Sequence, residues 1–150
     1  MLFKAKKSLG QNFLINENTL DLIVNLGDIK KDDIILEIGP GSGNLTSKII
    51  EKKPKEITVI EKDNKLSDLL NRKFGSTINI INKDILKYSY ENMLNKKLII
   101  YGNLPYNIST QILVSWIRIN QLNRFCKKFI LLFQKEVANR IISSHNKKDY

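Results

Sequence analysis

Five short runs of β-branched and aliphatic residues, separated by stretches with helical spacing, constrain this chain more than any other feature. The runs are Ile34–Ile38, Ile57–Ile60, Ile78–Ile81, Leu98–Tyr101 and Phe129–Phe133, and they are mostly apolar on both faces. A strand wetted on one side alternates apolar with polar residues, so runs lacking that alternation read as strands covered on both sides. Between them lie helix-like stretches at 44–53, 63–73 and 109–120, the last with Ile112, Leu113, Trp116 and Ile117 on one stripe, and a further helix follows the fifth run. Ahead of them, Asn16 or Asn18 is placed to cap a helix carrying Leu20, Ile23 and Val24 at i, i+3 and i+4 and ending near Gly27. Strand and helix in alternation predict an α/β fold, a parallel sheet with right-handed crossovers.

The chain is 150 residues long, 42% apolar and 27% charged, which fits one soluble globular domain. No apolar run approaches the ~18 residues of a membrane-spanning helix, and the opening Met1–Lys7 lacks the apolar stretch of a signal peptide, so the expectation is a cytoplasmic protein. Cys126 and His145 are each the only residue of their type, which predicts neither an internal disulfide nor a four-ligand zinc site. No repeat or low-complexity linker divides the sequence, and Pro40, Pro54 and Pro105 fall where turns are expected.

A net charge of +10 suits a polyanionic partner such as nucleic acid. The composition blunts that argument. Lys (21), Asn (17) and Ile (23) dominate while Arg is only 4, a skew that biased codon usage also produces. The clusters Lys4/Lys6/Lys7, Lys52/Lys53/Lys55 and Lys127/Lys128 read equally as phosphate contacts or as solvated faces.

Ligands of open parallel sheets bind outside the carboxyl ends of the strands. Three of those ends carry chemistry here. The first is Glu37-Ile38-Gly39-Pro40-Gly41-Ser42-Gly43, whose glycines let the backbone turn tightly as the next helix begins. A dinucleotide fingerprint requires glycine where Asn44 stands, so the pattern is E-x-G-x-G-x-G. The second is Glu61, 22 residues beyond Gly39, where an acid accepts from both hydroxyls of a ribose. The third is Asp84, placed to accept from the exocyclic amine of adenine. Taken singly, a glycine-rich turn is often only a turn, and a strand-terminal acid only a helix cap. In this order they favour a nucleoside, and the absent pyrophosphate-type glycine favours S-adenosylmethionine over NAD.

The most specific stretch follows the fourth run: Gly102-Asn103-Leu104-Pro105-Tyr106-Asn107-Ile108-Ser109-Thr110. Pro105 fixes its own φ and pushes Leu104 out of helical space, which leaves the Leu104 carbonyl an oriented acceptor. An adenine amine is a poor nucleophile because its lone pair is delocalised into the ring. With its two hydrogens accepted by the Asn103 side-chain oxygen and the Leu104 carbonyl, the nitrogen pyramidalises and aims its lone pair at the sulfonium methyl. Tyr106 is placed to stack on the base and hold it out of its nucleic-acid stack. The scheme needs no catalytic His, Cys or metal, since positioning carries most of the rate. The plainer reading makes the tetrapeptide a capped turn leading into the helix at 109.

These residues, with Lys7-Ser8-Leu9-Gly10-Gln11-Asn12-Phe13-Leu14, EIGPGSGNLT (37–46), VIEKD (59–63), KDIL (83–86) and FQKEVANRI (133–141), carry a resemblance. From about residue 4 to 150 the chain resembles the KsgA/RsmA family of ribosomal RNA small-subunit adenine dimethyltransferases. The resemblance implies a Rossmann-like class I methyltransferase sheet and S-adenosylmethionine as cofactor. It also implies conversion of two adjacent adenosines near the 3′ end of small-subunit ribosomal RNA to N6,N6-dimethyladenosines, with the assembling small subunit as partner and no membrane or metal. By motif position, Asn12, Leu14, Gly39, Glu61, Asp84 and Asn103 would contact the cofactor. Asn103 would also meet the target amine, together with Leu104, Pro105 and Tyr106.

Sister enzymes that methylate large-subunit ribosomal RNA and confer macrolide resistance look similar over the same region, but Gly39-Pro40-Gly41 and Leu104 favour the small-subunit enzyme. A DNA adenine methyltransferase usually has proline second in its tetrapeptide and needs a target-recognition region, which is not visible. A non-catalytic ribosome-assembly factor with the same fold is a further alternative, against which the intact motifs argue. Residues 1–150 read as one methyltransferase domain. The sequence stops after the helix following the fifth run, without the last two strands and helical domain the resemblance leads one to expect. The expectation is therefore an incomplete domain whose fifth strand is a sheet edge.

Overall fold

A computed structural model describes residues 16–89, 91, 96–103, 106–119, 122–133 and 135–143, with Tyr106 and Asn107 described in backbone only. The elements, in chain order, are α1 (Glu17–Leu26), β1 (Ile34–Ile38), α2 (Asn44–Glu51), β2 (Glu56–Glu61), α3 (Asn64–Phe74), β3 (Asn79–Asn82), β4 (Leu98–Asn103), α4 (Tyr106–Ile117), α5 (Leu122–Phe125), β5 (Cys126–Leu132) and α6 (Lys135–Ile142). The strands pair in the order β3-β2-β1-β4-β5, and every pairing is parallel. The order reverses between β1 and β4, so the loops leaving those two strands flank the switch point where such sheets bind ligands.

Successive residues of the central strands feed opposite faces, as the two-residue period of a strand requires. Ile35, Ile57, Val59, Ile99 and Tyr101 pack with Leu20, Ile23 and Val24 of α1, Leu45 and Ile49 of α2 and Leu70 of α3. Leu36, Ile38, Ile60, Leu98 and Ile100 pack on the other face with Ile112 and Trp116 of α4 and Phe125 of α5. Trp116 meets Phe125 edge-on at 6.1 Å between centroids and Phe129 at 5.5 Å. Each fully buried aliphatic contributes roughly 1.5–3 kcal/mol, so these two layers hold the fold and also support a few buried polar groups.

The helix ends follow from local chemistry. Asn16 caps α1, its Oδ1 accepting from the Thr19 N–H at 3.0 Å. Asp63 caps α3 by accepting from the N–H groups of Lys65 and Leu66. Gly43 precedes α2 with φ +77, and a Cβ there would lie 2.6 Å from the Phe74 ring, so the entry to α2 requires glycine on both conformational and steric grounds.

The structure shifts most element ends by one to three residues, and some of the differences have a plain physical reason. The helix expected over 44–53 ends at Glu51, because Lys53 turns to φ +54 ahead of Pro54. The helix expected from 109 starts at Tyr106, directly after the proline, where a helix tolerates Pro just before or within its first turn. The strand expected over 129–133 runs from Cys126 to Leu132. Lys127 and Lys128 belong to it, with Lys127 Nζ 2.6 Å from Asp33 Oδ1 and Lys128 Nζ donating to the Gly27 carbonyl at 3.1 Å. Finally, β3 and β5 meet both core layers, Ile80, Ile130 and Leu132 on one face and Ile81, Phe129 and Leu131 on the other, but only half-buried: they are the two edges of the sheet, as expected for the fifth strand, with Asn79, Asn82, Lys127 and Lys128 exposed.

Candidate functional site

The loop between β1 and α2 turns through Gly39 at φ +66, Gly41 at φ +59 and Gly43 at φ +77. Gly39 continues the ladder by donating its N–H to the Ile60 carbonyl at 3.0 Å. A Cβ on Gly39 would sit 3.5 Å from the Asn103 carbonyl oxygen, so the β1 loop passes against the end of β4. This is the switch point of the sheet, and it joins two of the expected site residues.

Glu61 closes β2 and is 7% exposed. Its Oε2 accepts from the Gly41 N–H at 3.2 Å and its Oε1 from the Asp63 N–H at 2.9 Å. Burial pushes its carboxyl above the usual range, against the pull of the Asp63, Gly41 and Lys62 N–H groups. A carboxylate has about four lone-pair sites, so three main-chain donors leave it room for a further donor such as a ribose hydroxyl. Asn82 backs this arrangement by donating to the Glu61 carbonyl at 2.9 Å and to Ser67 Oγ at 3.0 Å, which fixes the β2 end against β3 and α3.

Asp84 follows β3 in a different setting. Its Oδ2 accepts from Lys62 Nζ at 2.7 Å and its Oδ1 caps the following turn through the Leu86 N–H at 3.1 Å. The bond to Lys62 holds its carboxyl below the usual range despite partial burial. An ionised carboxylate is an acceptor only, which suits an exocyclic amine. Asn12, Leu14, Leu104 and Pro105 lie outside the described residues, and Tyr106 opens α4.

Glu37 and Thr46 complete the setting, a pairing the motif spacing alone did not give. Glu37 is 2% exposed and accepts from Thr46 Oγ1 at 2.7 Å, across the base of the glycine loop. Burial raises its carboxyl to about 7, opposed by the Thr46 hydroxyl and by Lys73, and assisted by the like charge of Glu61. Lys73 reaches the same loop from α3, its Nζ donating to the Ser42 carbonyl at 3.2 Å and the Gly43 carbonyl at 3.5 Å. The only trace of these contacts in the sequence is the glutamate that opens E-x-G-x-G-x-G.

An acceptor-only carboxylate at the end of β2, a backbone opened by positive-φ glycines at the switch point and a second carboxylate one strand further are a donor-seeking set that fits an adenosine. Among the described residues no group of three or more His, Cys, Asp or Glu is placed to hold a metal ion, and no helix is long and apolar enough to cross a membrane.

Comparison with known proteins agrees with the fold and gives the family. The chain is 54% identical over its whole length to the ribosomal RNA small subunit methyltransferase A of Pelagibacter ubique and 41% identical over 99% of its length to the protein of that name from a Wolbachia of Brugia malayi. It spans 57% of each of those relatives. The crystal structure of a dimethyladenosine transferase from Plasmodium falciparum superposes on 93% of this chain with a TM-score of 0.78 at 29% identity, over 49% of that protein. The family model for ribosomal RNA adenine dimethylase matches residues 2–150, and the chain belongs to that family.

Proposed function

We propose that this chain forms the S-adenosylmethionine-dependent methyltransferase domain of an enzyme that dimethylates two adjacent adenosines near the 3′ end of small-subunit ribosomal RNA. The observation that carries the reading is the approach of Gly39 to Asn103, with Glu61 bonded into the same loop through Gly41. It brings the cofactor-type loop against the strand end that carries Asn-Leu-Pro-Tyr. The family match and the small-subunit relatives favour this substrate over large-subunit RNA.

In this reading Glu61 holds the ribose hydroxyls, Asp84 the adenine amine, and Asn12, Leu14 and Gly39 the remainder of the cofactor. The bound cofactor supplies an electrophilic methyl on a sulfonium. The chain supplies position: Asn103 and the Leu104 carbonyl, held by Pro105, accept the two hydrogens of the target amine, and Tyr106 stacks on the base. The partner is the assembling small ribosomal subunit, met in the cytoplasm, and the net charge of +10 assists the approach to its phosphates.

Transfer of labelled methyl groups from S-adenosylmethionine to undermethylated small subunits tests the proposal directly. Asn103→Ala is expected to lose methyl transfer far more than cofactor affinity, because the amide acts mainly in the transition state. Equal losses in the two measurements would contradict that role. Label appearing in large subunits instead would favour the sister activity.

A further inference from the structure

The end of the sheet opposite the candidate site has no task in the reaction proposed above, and its charge differs from that of the site. At the carboxyl ends of β1, β2 and β3, residues 39–43, 61–63 and 83–87 carry three lysines and three acids. At the amino ends of β1, β2, β4 and β5, residues 27–33, 52–56, 96–97 and 126–128 carry nine lysines and four acids, and all nine lysines are exposed. Biased codon usage raises the number of lysines in a chain but does not choose which end of the sheet receives them.

Contacts join these segments into one face. The Lys55 N–H donates to the Asp33 carbonyl at 2.9 Å, Asp33 Oδ1 accepts from Lys127 Nζ at 2.6 Å, and Lys96 Nζ lies 3.8 Å from Glu56. Charge from β2 to β5 therefore converges across about 14 Å, three inter-strand spacings. Asp28, Asp33 and Glu56 hold Lys30, Lys127 and Lys96. The side chains of the other six, Lys31, Lys52, Lys53, Lys55, Lys97 and Lys128, meet no acid among the described residues, which leaves Asp32 to offset them. Lys52, Lys97 and Lys128 donate to neutral oxygens of Asn25, Asn123 and Gly27. Two structural uses of lysine fall short of this surplus. The C-termini of α1 and α2 at this end present about half a negative charge each. Lysines also guard edge strands, but Lys52, Lys53 and Lys55 lead into β2, which is paired on both sides.

We propose that this amino-end face is a second RNA contact, which holds phosphates of small-subunit RNA outside the segment that carries the target adenosines. The inference rests on the reading of that RNA as the substrate. Strands of five or six residues keep the two ends of the sheet roughly 17–20 Å apart, so a base presented at Asn103 and phosphates held at Lys55 lie at opposite ends of the domain. Exposed ammonium groups on long side chains suit phosphate oxygens and read no sequence, so the face adds affinity and orientation and leaves the choice of adenosine to the other end.

Binding of the intact protein to undermethylated small subunits, measured over a range of salt, tests this. Lys52→Gln, Lys53→Gln and Lys55→Gln, made together, remove three cations at the far end from the cofactor. The slope of log affinity against log salt is expected to fall by about two to three, and affinity at ~0.1 M salt to drop several-fold. Native affinity for S-adenosylmethionine in the same variant shows that it has folded. In the otherwise unaltered protein, a photo-cross-linker at position 55 should join ribosomal RNA outside the segment that bears the target adenosines. If the triple variant does not fold, that cross-link decides the matter. An unchanged slope in the folded variant overturns the inference alone, as do cross-links to ribosomal protein or the target segment only, or none at all. Failure of the native protein to bind small subunits overturns the functional reading and this inference together.

Discussion

Glu61 and Asp84 stand one strand apart at the same end of the sheet. Glu61 is buried and held by main-chain N–H groups, whereas Asp84 is held by a lysine side chain at a more open position. The same functional group is therefore displaced in opposite directions, upward by burial at Glu61 and downward by Lys62 at Asp84. Main-chain donors move only with the loop that carries them. A lysine that is itself 58% exposed can swing aside to admit a ligand. The contrast teaches that the Glu61 end of the candidate site, proposed to hold the ribose, is preorganised and the Asp84 end, proposed to hold the adenine, adaptable.

The largest expected effect comes from breaking the rigid half. Glu61→Ala deletes the acceptor proposed for two ribose hydroxyls and leaves the Gly41 and Asp63 N–H groups without it. At roughly 1.5–3 kcal/mol for hydrogen bonds to a charged group, cofactor affinity should fall about tenfold or more. Calorimetry returning native affinity would remove Glu61 from the site.

A second measurement separates the two kinds of acid by pH. Glu37 and Glu61 have folded pKa values above their ordinary ones, so the native state binds more protons than the unfolded chain between those values. Stability should therefore rise as pH falls from about 7 toward 4.5, with the melting temperature moving ~2–4 °C for each kcal/mol regained. Asp84 behaves oppositely. Its folded pKa is depressed, so its contribution is present above the unfolded value and is lost as pH falls below about 3.8. Melting curves across this range should show a maximum in the acid region, and Glu37→Gln should flatten the limb nearest neutrality. A native protein that only loses stability on acidification from pH 7 would refute the assignment.

The smallest effect belongs to Lys62→Met. Partly exposed ion pairs contribute ~0–1 kcal/mol, so stability should change by less than that and cofactor affinity by no more than about threefold. A loss as large as that of Glu61→Ala would show that the adenine end is no less rigid than the ribose end.

The sequence made the central strands legible because their residues are apolar on both faces, and β1 matches its expected range, Ile34–Ile38. The edges were harder to read. Lys127 and Lys128 read equally as phosphate contacts or as a solvated face, yet each, though exposed, has a specific partner, Asp33 and Gly27, about a hundred residues earlier in the chain. No local pattern encodes contacts at that separation. The same holds in the candidate site. The positions of Glu61 and Asp84 follow from counting to the ends of strands, whereas the bond from Gly41 to Glu61 and the pairing of Lys62 with Asp84 exist only once three strands lie side by side. Position is written locally, and partnership is not.

Gly27 illustrates how such partnership constrains inheritance. Its φ of −69 would suit any residue, but a Cβ there would fall 1.8 Å from the Tyr101 hydroxyl, which is itself committed to the Val24 carbonyl. Tyr101 is fully buried two residues before Asn103, so it has nowhere to retreat without moving the strand that carries the tetrapeptide. Positions 27 and 101 thus behave as one locus: a larger residue at the first becomes tolerable only in a lineage that has already shortened the second, and the order of those two changes is fixed.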